Sequence, residues 1–497
     1  MSTEPITFEE PLLPVERKES TRKEDQTEKP RVAVTAEDLL DQIGIWHPYP
    51  LFITFSMAFL WFLSVMCTMS PSYMAPTKPC IENCTFLTVQ DEFHTSYNNS
   101  TLLAPGEMTS SIFFLGNGVL GQIFAILADR IGRRPVLVLC LFISGISGIF
   151  ASLAPNYIAM LIGRFFQGSC FTVLTMVNWV MCCESISFSG HGYASVLFGC
   201  CWVLGYLVIS PLAMLFTNWR HVQLFTSIPT LLFGIVMFFT LPESVAFLVM
   251  KKKRDGLVKW VDMATRVSQH DIDADFDQIV ATNNTTEDGS SQSLLDILKF
   301  IIQGKSILIN TILETCIWVV DFMMYTALSL SATSIDKSNE HVSYIFSGIV
   351  ELPAYFILPA AIDCLGRKPT VMASHMISAF ALLSMYLFDS DNDKYIYIII
   401  WLTAKFAVTC SFMLCFVYGA ELFPTKCRSI CLGICATISN FGAMMAPHIT
   451  IMDERLNFPG LHNLFYALCS FACTILMTIL PETKENLMNP SQQQSIA

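Results

Sequence analysis

Glu314, Trp318, Asp321 and Tyr325 stand at i, i+4, i+7 and i+11 inside an apolar run over residues 306–330. At about 100° per residue they gather within roughly 40–60° of one helical stripe. Carboxylates facing lipid would cost several kcal/mol, so the stripe is expected to face a cavity or partner helices. An aromatic ring beside a carboxylate suits an organic cation, which feels both the charge and the face of the ring. The competing reading makes Asp321 one half of a structural ion pair with Lys405 or Arg164. On that reading Trp318 and Tyr325 are plain core aromatics.

Arg164 and Lys405 are the two cations inside apolar runs, at 157–180 and 394–418. Snorkelling or pairing would satisfy them, and Gln167 can hydrogen-bond either Arg164 or a substrate. Three acids within the runs, Glu314, Asp321 and Glu351, outnumber these two bases. That balance favours a cationic or zwitterionic solute over an anion.

These residues need long apolar elements to hold them. The chain is 53% hydrophobic and 14% charged, and a soluble protein would carry about 25% charge. Six apolar runs lie near 50–70, 108–128, 135–153, 157–180, 193–215 and 220–241. Six more lie near 306–330, 341–362, 369–388, 394–418, 429–451 and 461–480. Each is long enough to cross a bilayer, which makes this an all-α membrane protein of twelve spans. With the N-terminus inside, 22 of the 29 Lys and Arg fall on the cytoplasmic side, 5 outside and 2 within spans. Both termini are therefore expected in the cytoplasm. The first run also serves as the membrane-targeting signal.

The boundaries follow. Residues 1–48 form a cytoplasmic tail in which Thr35 caps a short amphipathic helix at the membrane surface. The first six-helix half covers 49–248 and contains an external loop at 71–107. A cytoplasmic linker covers 249–300, the second half 301–484, and a tail 485–497. The linker opens on Lys251-Lys252-Lys253-Arg254, expected to be a solvated helix or a headgroup contact. In the external loop Asn83, Asn98 and Asn99 sit in glycosylation sequons, and Cys80 and Cys84 are positioned to bridge. The sequons point to passage through the secretory route and to the plasma membrane. No basic face supports nucleic-acid binding, and no metal-ligand spacing or nucleophile–base pair points to an enzyme. No cofactor is expected.

The chain repeats itself. Asp129-Arg-Ile-Gly-Arg-Arg134 recurs as Asp363-Cys-Leu-Gly-Arg-Lys368, Glu184 as Glu421, and Leu-Pro-Glu-Ser at 241–244 as Leu-Pro-Glu-Thr at 480–483. The offsets run from 234 to 241 residues, the signature of two homologous halves. Charge crowded into such short loops suits a gate: Asp129 facing a helix N-terminus, and Arg133, Arg134 and Arg428 pairing with Glu184, Glu243, Glu421 or Glu482 across the halves. The alternative is that Asp129, Asp363, Arg367 and their neighbours only fix topology.

These loops resemble those of the major facilitator superfamily. Glu351-Leu-Pro-Ala-Tyr355, Glu421-Leu-Phe-Pro-Thr425 with Arg428, Asp41-Gln-Ile-Gly44 and Asn218-Trp219-Arg220 narrow the resemblance to its organic ion transporter family, over residues 35–490. The chain departs from the family at Ala125, Pro359, His191 and Ala246, and its external loop is short. His191 stands where the family has arginine, which weakens the Glu184 latch. The resemblance implies a facilitator fold, with substrate or coupling roles at positions such as Arg164 and Lys405. It also implies a site between the halves that includes Tyr355 and Asn440. Tyr355 is like the carnitine-type branch; Asn440 matches no branch. Glu351 is expected to be structural or a proton carrier.

The expected function is movement of a small organic cation or carnitine-like zwitterion by alternating access, with sodium or proton as the open choices of coupling ion. An organic anion or sugar transporter on the same fold is one rival, and a non-transporting sensor or scaffold is another.

Overall fold

A computed structural model describes residues 35–76, 86–93, 106–268, 275–282, 294–336, 339–388, 393–424 and 427–483. Twelve helices are long and apolar enough to cross a membrane. Spans 1 to 6 are Pro48–Met74, Met108–Ile131, Arg133–Ser152, Tyr157–Cys183, Phe188–Leu215 and Trp219–Thr240. Spans 7 to 12 are Lys305–Ser334, Glu340–Leu365, Arg367–Leu387, Lys394–Leu422, Arg428–Thr450 and Leu461–Ile479. Helices close their own backbone hydrogen bonds, the condition for crossing hydrocarbon.

Packing repeats between the halves. Span 1 lies on span 5 as span 7 lies on span 11; spans 3 and 6 pair as 9 and 12 do, and spans 3 and 4 as 9 and 10 do. The halves meet through spans 2 and 11 and through spans 5 and 8. One apolar cluster bridges them, joining Val65, Tyr73 and Tyr206 to Tyr325, Tyr344 and Tyr466.

Hydrogen bonds tie the halves from mid-span toward the end remote from the charged loops. Tyr206 Oη donates to the Ser329 carbonyl at 3.0 Å, and Thr333 Oγ1 to that of Ser72 at 3.2 Å. Ser111 Oγ donates to the Met444 carbonyl at 2.7 Å. His341 stacks on Tyr73 and has Nδ1 within 3.2 Å of Ser210 Oγ.

Two peripheral expectations need correction. The helix Ala36–Ile43 has its capping box, Thr35 with Asp38, but Leu39, Leu40 and Ile43 are buried against protein rather than laid in the membrane surface. Their neighbour is Val245–Met250, which the chain presents just after span 6 and which offers a complementary apolar face. The linker helix Arg254–Ser268 is not merely solvated. It buries Leu257, Trp260 and Val261, with Trp260 edge-on to Tyr49 at 5.1 Å.

Candidate functional site

The stripe on span 7 divides. Trp318 Nε1 donates to Glu314 Oε1 at 3.0 Å, and both side chains pack near Gly419 of span 10. Asp321 is fully enclosed within the second half. Ser411 Oγ lies 2.8 and 2.9 Å from its two oxygens, Cys415 Sγ donates at 2.8 Å, and His375 Nε2 sits at 3.7 Å. Glu314, Trp318 and Asp321 thus line no space between the halves, and Asp321 pairs with neither Lys405 nor Arg164. The reason is depth. Spans 9, 10 and 12 cover this face of span 7 along most of its length, and only where the halves converge does it meet the first half.

Tyr325 is at that point. Its Oη accepts from Trp202 Nε1 of span 5 at 2.8 Å and donates to Glu351 Oε2 of span 8 at 3.1 Å. Lys405 of span 10 places Nζ 2.8 Å from Glu351 Oε1, 3.9 Å from the centre of the Tyr325 ring, and against Ser329 Oγ. Four spans from two halves therefore surround one ammonium with a carboxylate and an aromatic face. Half-buried Phe412 stacks on Tyr325 at 5.0 Å, Phe322 on Phe412 at 5.3 Å, and Phe322 meets Phe114 of the first half edge-on at 5.4 Å. Tyr355, one turn after Glu351, lies against Gly199 of span 5.

Asn440 also joins the halves. Its Oδ1 accepts from Asn117 Nδ2 at 2.7 Å, while Asn117 Oδ1 accepts from the backbone and hydroxyl of Thr172 at 3.0 and 2.7 Å. Asn117 opens a π-helical turn, Asn117–Gly121, beside a second such turn in span 4, Val173–Val177. Turns of this kind re-aim side chains and recur at functional sites. Gln167 stays inside the first half, where its Oε1 accepts from Arg164 at 2.9 Å and Gln223 at 3.0 Å.

Sequence reasoning missed Trp202 and Asn117. Trp202 sits in a run of uniform apolarity with no charge to mark it. For Asn117 a signal existed: it lies twelve residues before Asp129, as Glu351 lies twelve before Asp363.

The charged loops pair within each half, not across them. Glu243 Oε1 accepts from the backbone N–H groups of Arg133 and Arg134 at 3.0 and 3.1 Å, so Glu243, rather than Asp129, takes the N-terminus of span 3. Arg133 Nη2 bonds Glu184 at 3.0 Å and Asp129 at 3.3 Å. Glu184 also accepts from Ser244, so His191, turned to the Cys183 carbonyl, costs the latch nothing here. Arg134 donates to the Phe238 carbonyl at 2.8 Å. The second half repeats this: Glu482 accepts from the N–H groups of Arg367 and Lys368, each at 3.1 Å, and Arg367 forks onto Glu421. Arg428 donates to the Phe423 carbonyl at 3.3 Å instead of a carboxylate. The cause is local: each Pro-Glu segment ends the last span of its own half beside that half's own loop. Asp363 stands in the last turn of span 8. Asn83, Asn98, Asn99, Cys80 and Cys84 lie outside the described residues.

The profile of the Major Facilitator Superfamily matches residues 84–447. The chain belongs to this superfamily. Among its facilitator relatives is B0252.3, a candidate transporter of Caenorhabditis elegans, 28% identical over 454 residues, 90% of this chain and 89% of the relative. Organic cation transporter 1 of the same animal is 26% identical over 76% of this chain and 64% of its own length. Mouse solute carrier family 22 member 2 is 24% identical over 82% of this chain and 72% of its own. Among solved structures, the xylose transporter XylE of E. coli in an inward open conformation superposes with a TM-score of 0.66, covering 88% of this chain and 97% of that one. At 18% identity the match concerns the facilitator fold alone. The chain is a multi-pass membrane transporter of this superfamily, with curated relatives among the organic cation transporters.

Proposed function

We propose that this facilitator carries a small organic cation or carnitine-like zwitterion across the plasma membrane by alternating access, with its charged-loop end cytoplasmic. The observation that carries the reading is the Lys405 ammonium, held between Glu351 at 2.8 Å and the Tyr325 ring at 3.9 Å where spans 5, 7, 8 and 10 meet. A site that satisfies its own ammonium has the carboxylate and the aromatic face that a substrate ammonium needs. Trp202, Phe412 and Tyr355 extend the aromatic wall, and Asn117 with Asn440 offers amide groups to the polar end of a zwitterion. The names of the relatives point to the same solute class.

Alternating access draws support from the distribution of contacts. The bonds between the halves gather at one end, while the loop charges at the other pair inside their own halves, leaving the halves able to part there. On this reading the described state faces the cytoplasm.

The test is uptake of a labelled quaternary ammonium, a carnitine-type zwitterion and a matched organic anion by cells expressing the chain or its Tyr325→Leu variant. Cation or zwitterion uptake that falls in the variant is expected. Uptake of the anion alone would sink the charge assignment.

A further inference from the structure

Arg164 and Lys405 hold corresponding places in the two halves, and their surroundings differ in one respect. Lys405 has Glu351. The residue that matches Glu351 in the first half is Asn117, a neutral amide already committed to Asn440 and Thr172. Arg164 is fully buried and makes no salt bridge among the described residues. Its Nη1 donates to the Cys67 carbonyl at 3.0 Å and to Gln167 Oε1 at 2.9 Å, and Phe113 covers it at 4.9 Å. Its Nε and Nη2 have no hydrogen-bond partner. A guanidinium enclosed in a span with neither countercharge nor full hydrogen bonding is costly, so something must complete it.

The space for that completion adjoins it. A cavity of about 10 Å³, the size of one water, is walled by Cys67, Phe113 and Gln167, the three residues that touch the guanidinium, and by Ser64. Two further polar atoms on its walls are buried and unpartnered, Gln167 Nε2 and Ser64 Oγ. Gln167 Nε2 is a donor only, and Gln167 Oε1 is fixed as an acceptor by Arg164 and Gln223, so the amide cannot be reversed. The donors around this space are N–H and O–H groups beside a permanent cation, with no carboxylate. That is the chemistry of a small anion site.

We propose that the first half binds one monatomic halide, chloride in the cell, between spans 1 and 4, where it neutralises Arg164 as Glu351 neutralises Lys405. The cavity is too small for the carboxylate of an organic substrate. The proposal concerns binding, and it stands apart from which solute the protein carries.

The test uses the full chain in nanodiscs of neutral phosphatidylcholine, with chloride titrated against gluconate at constant ionic strength and unfolding followed by tryptophan fluorescence. The unfolding midpoint should rise saturably with chloride or bromide and not with acetate, because a ligand that binds only the folded state stabilises it by mass action. Gln167→Leu and Ser64→Ala should each weaken the apparent chloride affinity by about tenfold or more, and Arg164→Gln should abolish the response. Equal midpoints in chloride and gluconate would mean that the cavity holds only water and would overturn the proposal. So would a chloride response undiminished in the Gln167 and Ser64 variants, or an equal response to acetate. If Arg164→Gln does not fold, the other two variants decide.

Discussion

Glu351 and Lys405 form an ion pair of 2.8 Å from which solvent is excluded. Each charge is tolerable there only because of the other. Removing one partner of a buried pair typically costs about 3–5 kcal/mol, since it strands the survivor. Lys405→Met and Glu351→Gln should therefore each lower unfolding stability by about that much in detergent. The double variant should lose less than the sum of the two. Additive losses would mean that the two side chains are not each other's countercharge.

Tyr325 offers a ring to the cation and a hydroxyl to Trp202 and Glu351, and two substitutions separate these. Tyr325→Phe keeps the ring and deletes both hydroxyl bonds, so its KM for a labelled quaternary ammonium should rise modestly. Tyr325→Leu removes the π-face, a loss of about 1–2 kcal/mol and so a rise of roughly tenfold. Equal effects of the two changes would locate the contribution in the hydroxyl.

Asp321 should behave differently. It is locked to Ser411 and Cys415 inside the second half, so Asp321→Asn should act on stability, by about 1–3 kcal/mol, and leave KM for the ammonium near the wild-type value. Unfolding midpoints and uptake kinetics on the same preparations check this. A selective KM effect with unchanged stability would return Asp321 to the substrate site.

Twelve spans and the doubled architecture were legible because both are written in one dimension, as run lengths and as motifs recurring at one offset. Asp321 shows what was not. Helical periodicity places Glu314, Trp318, Asp321 and Tyr325 on one face, yet what covers that face changes along the helix, from spans 9 and 10 to span 5 where the halves converge. The gate shows the same limit in another form. Arg133 and Glu184 were recognisable as partners by charge, but whether Glu243 reaches its own half's loop or the opposite one depends on how span 6 returns beside span 3. Asn117 is the reverse case. Its importance was readable from its register with Glu351, a comparison that a search for charge alone passes over.

At the remote end, Arg220 Nε and Nη2 fork onto Glu92, and Trp219 Nε1 donates to it at 2.7 Å. The Arg220 hydrogen bonds are the main cause holding this carboxyl below its usual range. A carboxyl whose folded pKa is depressed contributes stability that is complete above its unfolded value of 4.5 and is lost as pH falls through the lower folded one. Amide exchange at 86–93, where Leu87 pairs with the Thr217 carbonyl and the Trp219 N–H, should therefore quicken on the acid side, near about pH 3, and be unaffected between pH 6 and 8. Glu92→Gln should exchange faster at neutral pH and lose the acid step. Protection in the wild type that ignores acid would show that the loop is pinned by its backbone pairing alone.

Gly132 and Gly366 turn the two charged loops with φ of +135° and +98°, where a side chain is strained. They differ in how closely a carboxylate approaches. A Cβ on Gly132 would collide with Glu243, whereas one on Gly366 would sit 3.1 Å from Glu482, a contact that a small shift relieves. Gly366→Ala should cost about 1–2 kcal/mol, mostly for the backbone. Gly132→Ala should cost more, because displacing Glu243 also strips the N–H groups of Arg133 and Arg134 of their acceptor. Unfolding midpoints of the two variants, measured side by side, test the asymmetry. Equal losses would mean that φ alone sets the cost, and that Glu243 can withdraw from the span 3 terminus without consequence.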